Sequence, residues 1–330
     1  MTTPYYKPSG KINSVFFAYY AIFSLITIPL LSLAYVYLVY YIPYIYVNLF
    51  TAIGCGAVMG LAVKFAVQLG KITNRAIVFT TALVSSFILL YVQWCIHIPL
   101  VYSEVYGFYT NFAGRFEETM ILLVRPGLVF EVINEINYYG VWGIGESGDA
   151  ITGVLLTIIW ILEFLIIAAC SLIIPAIQLN RPFSDEANGW YTKEKKTTQM
   201  NIPTNFELMK KELEEGQYDN FKQWVSFGKT DDTRFQTLIF FSPPQGADNA
   251  PYYMTITQSV MEKKNKINNI TLVTNLRIDP QVAREVLDNT ITSQPATPTP
   301  SQFCQSCGNP HEPDEKFCGT CGGATHPPEQ

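Results

Sequence analysis

Residues 15–42 read VFFAYYAIFSLITIPLLSLAYVYLVYYI, a run of 28 positions without a charged side chain. A helix rises about 1.5 Å per residue, so about 20 apolar residues cross the roughly 30 Å hydrocarbon core of a bilayer. The apolar region of a cleavable signal peptide is shorter, roughly 7–15 residues. The stretch therefore predicts a membrane-spanning helix that stays in the protein.

Three further runs, 45–69, 76–101 and 151–179, have the same character. Lys64 and Glu163 are their only charges, apart from a His97 that can be neutral. The first 180 residues hold 15 charged side chains, whereas the last 150 hold 34, near the usual share of about a quarter. This split excludes a single soluble domain, a disordered chain and a small secreted disulfide scaffold. Neither half is basic, which argues against nucleic-acid binding.

The distribution of Lys and Arg beside the runs predicts their orientation, because cytosolic flanks of membrane proteins are enriched in these residues. The short first connection has none, and the loop 102–150 has Arg115 and Arg125. The opposite side carries eight: Lys7, Lys11, Lys71, Arg75, Arg181, Lys193, Lys195 and Lys196. We therefore expect an integral membrane protein with both termini in the cytosol.

The loop 102–150 is too long to be a simple connector and is strongly acidic. It holds seven Asp and Glu residues against two arginines. Residues 128–138 place apolar side chains at helical spacing, and a second short apolar run, 120–124, precedes them. The lengths favour helices lying on the outer membrane surface, with a re-entrant hairpin as the alternative.

Glu163 and Lys64 are the two charges inside predicted spans. Ionisable groups at such depths are costly and usually face a partner or a cavity. Glu163 can be a structural glutamate, a proton or cation relay, or a contact between helices, and an ion pair with Lys64 requires Lys64 to reach inward. Positions 52, 56, 60, 64 and 68 share one helix face, where Ala52, Gly56 and Gly60 predict close helix packing. A homo-oligomer through this face is a further alternative.

The second half predicts several segments after the cytosolic N-terminus, 1–14, and the four-span domain, 15–180. A juxtamembrane link, 181–202, leads to an α+β domain, 203–290, in the order α-β-β-β-α. Thr204 and Glu207 form a capping-box pattern that would open its first helix. The last two strands should pair as an antiparallel hairpin, since a turn-like sequence separates them. A Pro- and Thr-rich linker, 291–302, follows.

Two C-x2-C pairs separated by ten residues follow the linker: Cys304, Cys307, Cys318 and Cys321. Four thiolates at this spacing suit a closed tetrahedral zinc site, and the Gly after each pair permits a tight metal knuckle. Two disulfides are disfavoured by the predicted reducing compartment. Residues 303–323 resemble the zinc-ribbon family, which implies a structural Zn²⁺ and an interaction role. Residues 324–330 form a tail.

These features favour a multi-pass membrane protein that acts as a membrane-anchored interaction or regulatory module. The ribbon, on its flexible tether, would dock a cytosolic protein partner. The α+β domain has no nucleophile–base pair, phosphate loop or paired-acid signature, so a membrane enzyme is only the third alternative. The alternative is a small transporter or channel component that uses Glu163. Residues 140–163 also resemble uncharacterised bacterial multi-pass membrane proteins, which implies a bacterial inner membrane but no activity.

Overall fold

The computed structural model describes residues 4–42, 45–102, 111–140, 150–193, 199–227, 234–247, 249–262 and 266–291. It divides into two compact units. The membrane unit comprises Tyr6–Thr192 and Pro243–Asp248. The α+β unit comprises Met1–Tyr5, Lys193–Ser242 and Asn249–Gln330.

Four long helices form the membrane unit, as the sequence predicts: α1 (Ser14–Tyr41), α2 (Ile45–Gly70), α3 (Arg75–Val101) and, after two loop helices, α6 (Gly153–Leu179). All four are long and apolar enough to cross a membrane. Asn13 and Asn74 cap α1 and α3, because their side-chain oxygens accept bonds from Val15 and Ile77 backbone N–H groups. Many large apolar side chains face outward, for example Leu25, which is 76% exposed. Such a surface fits a lipid environment, and membrane association is confirmed at this level.

The bundle has two ends. At one end α1 and α3 finish and α2 and α6 begin, and we call it the loop end. The opposite end, where α1 begins and α6 finishes, is the terminal end. Helix α2 packs against α1 and α6, and α3 packs against the same two helices. At the terminal end Gly70 meets α1 so closely that an added Cβ would lie 2.4 Å from the Phe16 Cα. The four spans therefore form one closely packed bundle.

The described part of the loop forms two helices, α4 (Phe112–Leu123) and α5 (Pro126–Tyr139). The Tyr91 hydroxyl donates hydrogen bonds to the carbonyl oxygens of Leu122 (2.8 Å) and Leu123 (3.2 Å). Tyr91 lies ten residues from the loop end of α3, about 15 Å along the helix axis. Helices α4 and α5 therefore pack as a hairpin against α3. The choice between a surface and a re-entrant position stays a prediction.

The apolar stripe of the hairpin is buried, because it packs against Cys95 and Ile98 of α3. The buried side chains of the stripe are Leu122, Val129, Val132 and Ile136. Helix amphipathicity was visible in the sequence, but the surface that would cover the apolar face was not.

The segment predicted as a juxtamembrane link is ordered at its start. Strands β1 (Phe183–Ser184) and β2 (Gly189–Trp190) pair antiparallel, and the Trp190 indole N–H donates to the Gln68 carbonyl oxygen at 3.1 Å. The Phe183 and Trp190 rings meet edge to face with centroids 4.9 Å apart. The β1–β2 pair thus packs against the terminal end of the membrane unit.

The α+β unit contains the predicted order of helices and strands, with a second helix before the three long strands. Helices α7 (Phe206–Glu215) and α8 (Asp219–Phe227) precede the strands, and α9 (Pro280–Ile291) follows them. Strands β4 (Arg234–Ser242), β5 (Tyr252–Glu262) and β6 (Lys266–Ile278) form antiparallel neighbours. A short strand β3 (Thr192–Lys193) precedes β4 in the sheet order. The α+β class and the final hairpin are confirmed.

Two details of this unit differ from the sequence prediction. The cap of α7 is Asn205, whose side-chain oxygen accepts from the Leu208 N–H at 3.2 Å, so the Thr204 capping box is wrong. In addition, Tyr5 pairs antiparallel with Leu276 at the edge of β6. Burial and a hydrogen bond to the Glu214 carboxylate raise the pKa of the Tyr5 hydroxyl. The N-terminal segment therefore belongs partly to the sheet.

Candidate functional site

A cavity of about 100 Å³, mostly apolar but lined by several polar side chains, lies between all four spans in the loop-end half of the bundle. Helical spacing brings its side chains together: positions 90, 93, 94 and 97 share one face of α3, and 160, 163 and 167 share one face of α6. The lining residues are Tyr35, Val36, Val39, Asn48, Leu90, Gln93, Trp94, His97, Trp160, Glu163 and Ile167. We call this cavity the Glu163 pocket.

Glu163 supplies the only carboxylate among the described lining residues of the pocket and is half-buried. Tyr35 lines the same cavity, and its hydroxyl lies near the Glu163 carboxyl group. Among the described residues, both ion pairs are in the α+β unit, Lys211–Glu215 and Lys222–Glu285. The Glu163 carboxylate is therefore not neutralised by any described basic side chain.

Two amides in the pocket have unused hydrogen-bonding capacity. The Asn48 side-chain oxygen and the Gln93 side-chain nitrogen are both buried, and neither has a partner among the described residues. A buried polar group without a partner costs roughly 1–3 kcal/mol, so such groups favour any occupant that bonds to them. The pocket thus offers a second oxygen acceptor besides the carboxylate, and one donor.

Aromatic side chains form another part of the pocket wall. Trp94 and Trp160 meet edge to face with centroids 5.0 Å apart, and His97 packs against Trp94 at 5.5 Å. Indole faces attract cations because of the ring quadrupole. Carboxylate, amide oxygen and aromatic faces together suit a small positive species.

Lys64 does not join this group. It is half-buried on α2, outside the pocket lining, and it makes no ion pair with Glu163. The position of a residue along its helix predicts how far it lies from the helix end. It does not predict which neighbouring helix its side chain faces. The structure leaves the two charges as separate features.

The predicted packing face of α2 lies against α6. A Cβ added at Gly56 would lie 2.6 Å from the Ile167 carbonyl oxygen, and one at Gly60 would lie 3.1 Å from that of Cys170. Ala52 is fully buried on the same face. This contact holds α6 close enough for Ile167 to line the Glu163 pocket. Because α6 of the same chain covers the face, a homo-oligomer would need another surface.

Polar groups in the terminal-end half form pairs between helices. The Ser86 and Ser171 hydroxyls lie 2.8 Å apart, and the Gln68 amide nitrogen donates to the Gln178 amide oxygen, also at 2.8 Å. Tyr20 and Ser85 make a third pair at 2.7 Å. Buried apolar side chains surround them, including Met59, Val63 and Val67.

The predicted zinc ligands Cys304, Cys307, Cys318 and Cys321 lie outside the described residues. Within the described ranges, no group of three or more His, Cys, Asp or Glu side chains could hold a metal ion. Sequence reasoning identified Glu163 but missed Asn48, Gln93 and Trp160. A polar amide in an otherwise apolar span is a usable signal for the first two.

No protein-family model, curated protein or solved structure matches this chain. Function must therefore be inferred from the chemistry of the Glu163 pocket and from the sequence features beside it.

Proposed function

We propose that this protein is a membrane-embedded regulatory module that binds a small cation, or a proton, in the Glu163 pocket. The observation that carries the proposal is a carboxylate that lines a cavity built by all four spans and that pairs with no described basic residue. An ionised carboxylate within a membrane is costly unless its charge is compensated. A bound cation or proton supplies that compensation.

The arrangement supports regulation because each of the four helices contributes to the pocket. A ligand that fits one packing of these helices better than another shifts the balance between the two packings. The predicted topology places the pocket toward the outer side, where the acidic loop would raise the local cation concentration. Such a module would report an external signal to the predicted cytosolic half.

Thermal unfolding in lipid nanodiscs tests cation binding, with titrations of H⁺, Na⁺, K⁺ and tetramethylammonium. A ligand of the folded state stabilises it by about 2.7 kcal/mol at 100 times its Kd. We expect one of these cations to stabilise the native protein, and Glu163→Gln to abolish the effect. Lys64→Gln is the matched control, because Lys64 is the other intramembrane charge and lies outside the pocket lining. Equal cation responses in the native protein and in Glu163→Gln would refute the proposal.

The output would run through the C-terminal segment. The four cysteines at 304, 307, 318 and 321 support a zinc ribbon that docks a cytosolic protein, with the 291–302 linker as its tether. Purified protein should contain one Zn²⁺ per chain, and Cys304→Ser should lose it. Removal of residues 303–330 should also remove a partner from pulldowns. Retention of every partner would contradict the docking role.

A small transporter or channel component is the second candidate. Buried hydroxyls continue from the pocket toward the terminal end: Ser32, Ser86 and Ser171 each lie four residues beyond a pocket-lining residue. All three hydroxyls bond to helix carbonyls or to each other, which favours packing over conduction. Flux of the stabilising cation in proteoliposomes, lost in Glu163→Gln, would favour transport over regulation.

A further inference from the structure

A second cavity, separate from the Glu163 pocket, lies between α1, α3 and α4. It has a volume of about 510 Å³, and its walls are mostly apolar. Leu33 and Tyr37 of α1 face Ile96 and Leu100 of α3, and Phe116 closes the side formed by α4. We call it the hairpin groove.

The walls of the hairpin groove belong to candidate membrane spans. Leu33 and Tyr37 lie in the loop-end half of α1, and Ile96 and Leu100 lie in that of α3. We therefore expect this apolar groove to meet acyl chains rather than water. The chemistry of its walls therefore suits a hydrocarbon chain.

One charged residue lines the groove. Arg115 lies on the first turn of α4, at the end of the helix nearer the loop end. Its Nε atom is buried without a hydrogen-bond partner, and no described carboxylate forms an ion pair with Arg115. A guanidinium group presents its N–H donors in a fork that matches phosphate oxygens.

We propose that the hairpin groove binds one phospholipid of the loop-end leaflet, with an acyl chain in the groove and its phosphate on Arg115. The apolar walls match a lipid tail, and the single guanidinium, which forms no described ion pair, matches a phosphate headgroup. The lipid would join the hairpin to α1 and α3, and so would be a bound component rather than part of the surrounding bilayer.

Native mass spectrometry of detergent-purified protein tests this site. We expect one phospholipid per chain in the native protein, and its loss in Arg115→Leu. Arg125→Leu is the matched control, because Arg125 is the other arginine of the hairpin, is exposed and does not line the groove. Equal retention in Arg115→Leu and the native protein, or a variable number of lipids in both, would overturn the proposal.

Titration of delipidated protein separates the contributions of tail and phosphate. Phosphatidylglycerol or phosphatidylethanolamine should raise the unfolding temperature, whereas diacylglycerol with the same chains and inorganic phosphate alone should not. A charge-assisted hydrogen bond is worth about 1.5–3 kcal/mol, so Arg115→Leu should weaken phospholipid binding about tenfold or more. Leu33→Trp, which fills the groove while keeping Arg115, should block binding and leave the protein folded. Stabilisation by diacylglycerol equal to that by phospholipid would contradict the role of Arg115.

Discussion

The two halves of the bundle use polar residues in different ways. In the terminal-end half, polar side chains meet in pairs such as Ser86–Ser171 and Gln68–Gln178. In the loop-end half they surround a cavity, where the Asn48 side-chain oxygen and the Gln93 side-chain nitrogen have no described partner and the Glu163 carboxylate forms no described ion pair. In the terminal-end half, the Ser24 hydroxyl and the Gln178 side-chain nitrogen also lack a described partner. No described carboxylate lies with them, unlike in the Glu163 pocket. Paired groups join helices, whereas a charged and unpaired cluster is suited to binding.

The largest stability effect should come from the contact that supports both halves. Gly56→Leu places side-chain atoms where a Cβ alone would approach the Ile167 carbonyl oxygen to 2.6 Å. Overpacking costs typically 1–3 kcal/mol, and a clash with backbone should cost about 3 kcal/mol of unfolding free energy. Gly54→Leu is the control, since nothing lies within 4 Å of its added Cβ. Similar losses in the two variants, measured by denaturant titration in detergent, would show that α2 and α6 are not in close contact.

Two glutamines should respond in opposite directions. Gln93→Leu removes a buried unpaired amide, so the unfolding free energy should stay the same or rise by about 1 kcal/mol. Gln68→Leu leaves the Gln178 amide oxygen without its donor, so the unfolding free energy should fall by about 1 kcal/mol. The same denaturant titration measures both changes. A loss in Gln93→Leu as large as that in Gln68→Leu would remove the distinction between the two halves.

The smallest effect is the coupling between Ser86 and Ser171. Hydrogen bonds between membrane helices average about 0.6 kcal/mol in double-mutant cycles. A cycle of Ser86→Ala, Ser171→Ala and the double variant should give a coupling of this size. The same cycle with Ser24→Ala and Ser171→Ala should give none, because the Ser24 hydroxyl has no described partner. Equal coupling in both cycles would mean that the hydroxyl pair adds nothing specific.

The fold was more predictable from the sequence than the site. Length and lack of charge were enough to locate the four spans, and a single carboxylate in an apolar run identified Glu163. The pocket itself depends on how four helices rotate about their axes, which residue spacing within one helix does not fix. Asn48 and Gln93 were missed for this reason, and Lys64 was considered with Glu163 because only their depths could be compared.

Local competition explains the remaining differences. Thr204 and Asn205 are both good capping residues. Asn205 is the one that caps α7, because its side-chain oxygen accepts a hydrogen bond from the Leu208 backbone N–H. The contact between the hairpin and α3 was not predicted, because nothing in the loop sequence shows that α3 has an apolar face to cover it. The zinc ribbon lies outside the described residues and stays a prediction.

The most direct test of the account is cation binding at Glu163, read from the two tryptophans of the pocket. Trp142, Trp190 and Trp224 are replaced by Phe, so that Trp94 and Trp160 alone report in nanodiscs. We predict a saturable, one-site change in fluorescence with the stabilising cation, absent in Glu163→Gln and retained in Lys64→Gln. An unchanged titration in Glu163→Gln would show that the carboxylate is structural and that the pocket does not bind cations through it.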